Sequence, residues 1–230
     1  KFQDIQDVAD PVTLAKNYEL DHADNLFLLD ISGSDRQTFL NIVKKIASEV
    51  NIPLFVGGGI RKIEDIEEVL QVGAAKVSIT SAAIENPTLL KEAVEKFGGE
   101  KIVLSIDAKR VSDHTWHAFT KGGKHDSNID VVEWAKQGEE YGVSEILLNS
   151  IDADGVKNGF DIVLNKMVSE AVQIPVIASG GAGELEHFQV VFTETNVQAA
   201  LAASVFHYGE IAITDLKEYL LNFDIPVEEI

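Results

Sequence analysis

The chain contains no cysteine. That excludes disulfides, thiolate nucleophiles and cysteine-ligated metal sites. It is also short of basic residues: 19 Lys and Arg stand against 38 Asp and Glu, a formal net charge of −19. So large an acidic excess argues against a nucleic-acid groove. An anionic ligand would have to be held by local backbone N–H groups, because the overall field repels it. No apolar run approaches the roughly 18 residues needed to span a membrane, and no secretory apolar segment is recognisable. These absences fit the cytoplasm.

What is present is ordinary for a globular protein: 230 residues, 45% hydrophobic and 25% charged, room for one large core in a single domain over 1–230. Seven apolar runs read as strands: Leu26–Ile31, Leu54–Gly58, Lys76–Thr80, Ile102–Asp107, Glu145–Ile151, Val176–Ser179 and Ala199–Ser204. Most are continuous rather than alternating, as parallel strands covered on both faces should be. Helical periodicity fills the gaps. Phe39, Val43, Ile46 and Val50 fall on one stripe of Ser34–Val50, with Ser34 and Gln37 as a capping box. Asp10-Pro11 opens one helix, Pro11–Tyr18, and Asn86-Pro87 opens another. Repeated βα units without runs of hairpins predict a parallel α/β fold.

The strand ends recur at regular steps, with one excess of about 20 residues around Val111–Asp126. That segment reads as a hairpin inserted in a loop of the active face. The chain also repeats itself. Asp30 to Asp152 and Gly58 to Gly180 are both 122 residues, and Val77–Thr80 matches Leu201–Ser204 at an offset of 124. A barrel of two similar halves explains this register. Seven strands are one fewer than an eightfold (βα)8 TIM barrel needs. The half-repeat puts the partner of Asp107 before residue 1, and the chain begins with Lys1 rather than methionine. The expectation is therefore a barrel whose first strand precedes Lys1. A rival, Lys1–Ile5 as that strand, is disfavoured because the segment is too polar.

Asp107 closes the apolar run Lys101–Ile106, at the strand end where α/β proteins place their chemistry. It is the candidate general acid/base; the competing possibility is an ion pair with Lys109 or Arg110. Two glycine-rich strand ends flank it in register. One is Gly57-Gly58-Gly59 with Thr80-Ser81; the other is Gly180-Gly181 with Ala203-Ser204 and Asp154-Gly155. Such turns expose N–H groups, and two of them across one mouth imply a substrate phosphorylated at both ends. Asp30 and Asp152 also ring the mouth. His114 and His117 lack nearby carboxylate support and read as surface residues, not metal ligands. His207 belongs beside the second anion site in a structural role, and Trp134 in helix packing.

These segments together resemble a known family. Val56-Gly57-Gly58-Gly59-Ile60, Lys76–Ile79, Ile106-Asp107-Ala108-Lys109-Arg110, Asn149–Gly155, Ala178–Gly183 and Ala202–His207 are similar to the cyclase subunits of imidazole glycerol phosphate synthase, over essentially the whole chain. The resemblance implies a half-repeated (βα)8 barrel without metal or cofactor. It implies a bis-phosphorylated aminoimidazole carboxamide ribonucleotide as substrate, and ammonia delivered through the barrel by a partner glutaminase in a heterodimer. On its pattern Asp107 is one of two catalytic aspartates, the other lying on the first strand. Gly58, Gly59, Thr80 and Ser81 hold one phosphate, and Asp154, Gly155, Gly180, Gly181, Ala203 and Ser204 the other. Lys76 and Glu145 gate the ammonia entrance. The family usually has Asn at Thr80, Glu at Asn25 and Asp at Ala75. Without the strand before Lys1 these 230 residues alone are expected to be inactive or nearly so. The alternatives are the sister sugar-phosphate isomerase, which shares the barrel and both phosphate sites, and a non-catalytic barrel.

Overall fold

The computed structural model describes residues 10–30 and 35–228; Lys1–Ile5 lies outside them. Asp10 caps the first helix, α1 (Pro11–Leu20), by accepting the Thr13 N–H at 3.1 Å. There follow β1 (Leu26–Leu29), α2 (Arg36–Glu49), β2 (Leu54–Gly57), α3 (Ile63–Gln71) and β3 (Lys76–Ile79). Next are α4 (Ser81–Glu85), α5 (Thr88–Phe97), β4 (Ile102–Ser112), β5 (Thr115–Thr120), β6 (His125–Asp130) and α6 (Val131–Tyr141). The chain continues through β7 (Glu145–Ser150), α7 (Ile162–Ala171), β8 (Val176–Ser179), α8 (Leu185–Glu194), β9 (Ala199–Leu201), α9 (Ser204–His207) and α10 (Ile213–Leu221).

All seven anticipated strands form. They pair in parallel in the order β1-β2-β3-β4-β7-β8-β9, the curled sheet of a (βα)8 barrel. Residue parity divides each strand between two cores. Val56, Val77, Ile79, Leu104, Ile146 and Val176 face outward and are buried beneath the helices. Phe55, Val103, Leu147 and Ile177 form a separate apolar cluster inside the curl, with Phe27, Ala199 and Leu201 against it. Phe27 and Phe55 meet edge to face at 4.8 Å.

The stripe of α2 is as anticipated, with Phe39, Val43, Ile46 and Val50 all buried. Its cap is different: Asp35, not Ser34, accepts the Thr38 N–H at 3.1 Å. Both residue types cap well and stand side by side, and Ser34 lies outside the described residues. The inserted hairpin is longer than Val111–Asp126. β4 runs on to Ser112, β5 returns along it, and β6 continues to Asp130, which caps α6 by accepting the N–H groups of Val132 and Glu133.

α1 and the turn after it are tied to the end of the chain. The Tyr18 hydroxyl hydrogen-bonds His207 Nδ1, Asp21 accepts the Ile213 N–H at 2.7 Å, and Asp24 pairs with Lys217 at 2.5 Å. No helix among the described residues is long and apolar enough to cross a membrane.

Candidate active site

Asp107 lies in β4 at the carboxyl end of the parallel sheet, opposite Asn149 of β7 on one side and Phe119 of β5 on the other. It is not paired with its cationic neighbours. Lys109 Nζ stands 5.4 Å from the centre of the Phe119 ring. Arg110 lies over Trp116 at 4.5 Å and reaches Asp161 at 3.8 Å. The hydrogen bond on Asp107 comes instead from Asn149, whose Nδ2 donates to Oδ1 at 3.1 Å. Burial pushes the Asp107 carboxyl above the usual aspartate range, the Asn149 bond pulls against it, and the charge of Asp154 adds to the rise. A carboxyl held this way can both give and take a proton.

The two glycine turns sit on either side of Asp107. Gly58 and Gly180 have nearly the same left-handed φ, +83° and +89°. A Cβ on Gly58 would strike the backbone of Asp30, and one on Gly180 the backbone of Ser150. Next to them, Thr80 (φ −114°, ψ −95°) and Ala203 (φ −121°, ψ −71°) share one unusual conformation, and each leads into a short helix that begins with serine. This backbone match corrects the sequence register of the repeat. Leu29 opposes Gly57, as Asn149 opposes Ser179. The counterpart of Asp30 is therefore Ser150, not Asp152, and Thr80 corresponds to Ala203 rather than Ser204.

Asp152 is consequently not brought to Asp107. Its Oδ2 accepts the Arg110 N–H at 2.8 Å and holds the hairpin to the loop after β7. Asp154 is in that loop, its N–H donating to Ser150 O at 2.9 Å, and Gly155 follows in a left-handed turn. Gly181 accepts the Gly159 N–H at 2.8 Å, which fastens the same loop to the second glycine turn. Asp30 donates its N–H to Gly57 O at 2.9 Å beside the first turn, with Gly59 next to it. Ser81 Oγ accepts the Lys121 N–H at 3.0 Å, so the tip of the hairpin rests on the first strand end.

At the other end of the sheet, Lys76 begins β3 and Glu145 begins β7. They form an ion pair, Ser144 Oγ lies 3.4 Å from Lys76 Nζ, and Lys76 stands over Phe55 at 5.0 Å. The inner apolar cluster occupies the axis between this pair and Asp107. Ser78, inward-facing by parity on β3, has a buried hydroxyl with no hydrogen-bond partner among the described residues.

Several features escaped sequence reasoning. Asn149 is the chief one; its signal was the spacing Glu145, Leu147, Asn149, which puts all three on one face. His117 does have carboxylate support, from Asp126 at 3.0 Å. No group of three or more potential metal ligands exists among the described residues. A cavity of about 620 Å³ opens between the β4–β5 turn and the loop after β7, bounded by Arg110, Asp152, Phe160 and Asp161. His207 follows the second strand end, and Trp134 packs fully buried in α6.

Comparison with known proteins agrees with this architecture. Residues 1–212 match the family described as Histidine biosynthesis protein. The "Imidazole glycerol phosphate synthase subunit HisF" of Oceanobacillus iheyensis is 53% identical over 229 residues, 99% of this chain and 90% of that protein. The protein of the same name from a Hydrogenobaculum species is 50% identical over 228 residues, 98% of this chain and 90% of its own length. With a matching family over most of its length and relatives at half identity, the chain belongs to the histidine biosynthesis protein family, among the HisF subunits of imidazole glycerol phosphate synthase.

Proposed function

We propose that the chain is the cyclase subunit of imidazole glycerol phosphate synthase. It uses ammonia to convert the bis-phosphorylated aminoimidazole carboxamide ribonucleotide into imidazole glycerol phosphate and the aminoimidazole carboxamide ribotide. The observation that carries the reading is the placement of one partly buried carboxylate, Asp107, between two strand ends of matching backbone geometry. A substrate with a phosphate at each end can span such a mouth and lay its reacting centre over Asp107. In this reading Gly58, Gly59, Thr80 and Ser81 take one phosphate. Gly180, Gly181, Ala203, Ser204, Asp154 and Gly155 take the other. N–H groups do this work, which suits a chain whose net charge repels anions. Asp107 moves protons during ammonia addition and ring closure, and Asp30 shapes the first turn.

Ammonia is supplied by a glutaminase subunit docked at the opposite end. The Lys76–Glu145 pair is the entrance in this reading, and an interior that is apolar apart from a few buried hydroxyls such as Ser78 and Ser105 suits a small neutral molecule better than an ion. Both phosphorylated species are too polar to cross a membrane unaided, so the reaction belongs in the cytoplasm.

The test is turnover by the full natural chain. With an ammonium salt and the bis-phosphate substrate it should form both products without glutaminase. Glutamine should replace ammonium only when a glutaminase subunit is added. Isomerisation of the aldose precursor of that substrate, without ammonia, would instead identify the sister enzyme.

A further inference from the structure

Three polar side chains stand at one level across three adjacent strands. Asp107 of β4 opposes Asn149 of β7, and Asn149 opposes Ser179 of β8. All three follow, by parity, the inward-facing residues Val103, Leu147 and Ile177. They are hydrogen-bonded in series. Ser179 Oγ lies 3.3 Å from Asn149 Oδ1, and Asn149 Nδ2 lies 3.1 Å from Asp107 Oδ1. Ser179 is itself buried.

The order of donors follows from the chemistry of the groups. A carboxylate only accepts, an amide has one donating and one accepting end, and a hydroxyl does either. The ionised Asp107 therefore selects the amide orientation, and the Ser179 hydroxyl adapts by donating to the amide oxygen. The reverse orientation would set the amide oxygen against a carboxylate oxygen in a buried site, where an unfavourable polar contact is expensive.

We propose that Asn149 is a positioning residue for Asp107: it holds Oδ1 as a permanent acceptor, so that Oδ2 alone exchanges the proton with substrate. The proposal rests on the reading of Asp107 as the general acid/base. A carboxyl with one oxygen committed in this way presents its reactive oxygen in one direction, and directional placement of a catalytic group is a large part of its effect. The same bond favours the ionised form and so opposes burial. The other charges near Asp107 do not duplicate this. Asp154, from the loop after β7, repels the ionised form; Lys109 on the same strand stands over Phe119; Arg110 is engaged with Asp161; and His117 on β5 pairs with Asp126.

The test uses the full natural chain and four variants. Asn149→Leu fills a similar volume without a donor. It should lower kcat by about ten- to a hundredfold with little change in KM, and move the acid limb of the kcat profile to higher pH. Asn149→Thr restores a donating hydroxyl and should recover part of both effects. Ser179→Ala, which only frees the amide, should shift the limb the same way but less. A carbon-13 titration of the Asp107 carboxyl, assigned by its loss in Asp107→Asn, reads the effect without turnover. If the Asn149→Leu protein is folded and both its titration and its pH limb superimpose on those of the parent, the proposal is wrong. Should Asn149→Leu not fold, Asn149→Thr and Ser179→Ala decide in the same way. If Asp107→Asn keeps full activity, the acid/base reading fails, whereas the titration still judges the Asn149 bond.

Discussion

Gly180 sits against Ser150 so closely that a Cβ placed on it would lie 2.7 Å from the Ser150 carbonyl oxygen, and 3.1 Å from Asn149 Oδ1. Its φ of +89° adds backbone strain for any other residue. Gly180→Ala should therefore cost about 1–3 kcal/mol of stability, read by thermal or urea unfolding. Because the turn must open to relieve the clash, KM for the bis-phosphate should rise in the same variant. An alanine protein with parental stability and KM would show that the turn has slack that the geometry denies.

The pair at the other end makes a separable prediction. Lys76 and Glu145 have side chains only 26% and 13% exposed, so their interaction is screened less than a surface ion pair. A double-mutant cycle with Lys76→Met and Glu145→Gln should return a coupling of about 1.5–3 kcal/mol. KM for the bis-phosphate should not move, since the glycine turns lie at the opposite strand ends. A coupling near zero would show that the two side chains do not hold each other at this end of the sheet.

What was legible in the sequence, and what was not, divides along one physical line. Buried parallel strands advertise themselves as continuous apolar runs, and Asp107 is conspicuous because it ends one. The glycine turns show for a similar reason: glycine is the residue that tolerates their φ. Features that depend on the register between strands do not show. Asp30 and Asp152 look equivalent along the chain, but strand pairing makes Ser150 the counterpart of Asp30 and leaves Asp152 to accept an N–H from Arg110. Asn149 reaches Asp107 only because two strands 42 residues apart in sequence align side by side. His117 meets Asp126 across a hairpin whose register shifts between Ala118 and Phe119, so simple alternation could not place them together.

The contact between Tyr18 and His207 joins α1 to the segment that follows the second strand end. Burial pushes the His207 imidazole below the ordinary histidine range and the Tyr18 hydroxyl well above the usual tyrosine range. A histidine held neutral in the fold costs nothing while the unfolded chain is also neutral. As pH falls through the ordinary histidine range the unfolded chain takes up the proton first, and stability declines until the folded imidazole is protonated too. His207→Gln should flatten this decline, so the stability difference between variant and parent narrows or reverses on going from pH 8 to pH 5.5. Tyr18→Phe removes one hydrogen bond and should cost about 1 kcal/mol at pH 8. Unfolding curves at the two pH values check both statements, and parallel pH dependences for parent and His207→Gln would exclude the histidine as their source.

Asp107 shows the opposite sign. Its carboxyl is raised, chiefly by burial, so the folded chain holds that proton more tightly than the unfolded chain does. Its contribution is fully present below the ordinary aspartate range and is lost as pH rises through the higher folded value. At neutral pH the ionised group therefore weighs against the fold. Asp107→Asn removes the charge and its repulsion with Asp154, while the new side-chain oxygen can still accept the Asn149 N–H. The variant should be more stable than the parent at pH 7, and the advantage should shrink as pH is lowered toward the aspartate range. Turnover with ammonium should fall by about 10² to 10⁴, the usual contribution of a general acid/base. Gain of stability together with loss of rate is the mark of a group kept for chemistry rather than for the fold. If Asp107→Asn is less stable than the parent at every pH, the carboxylate is a structural anchor instead, and its hydrogen bond with Asn149 outweighs the cost of its burial.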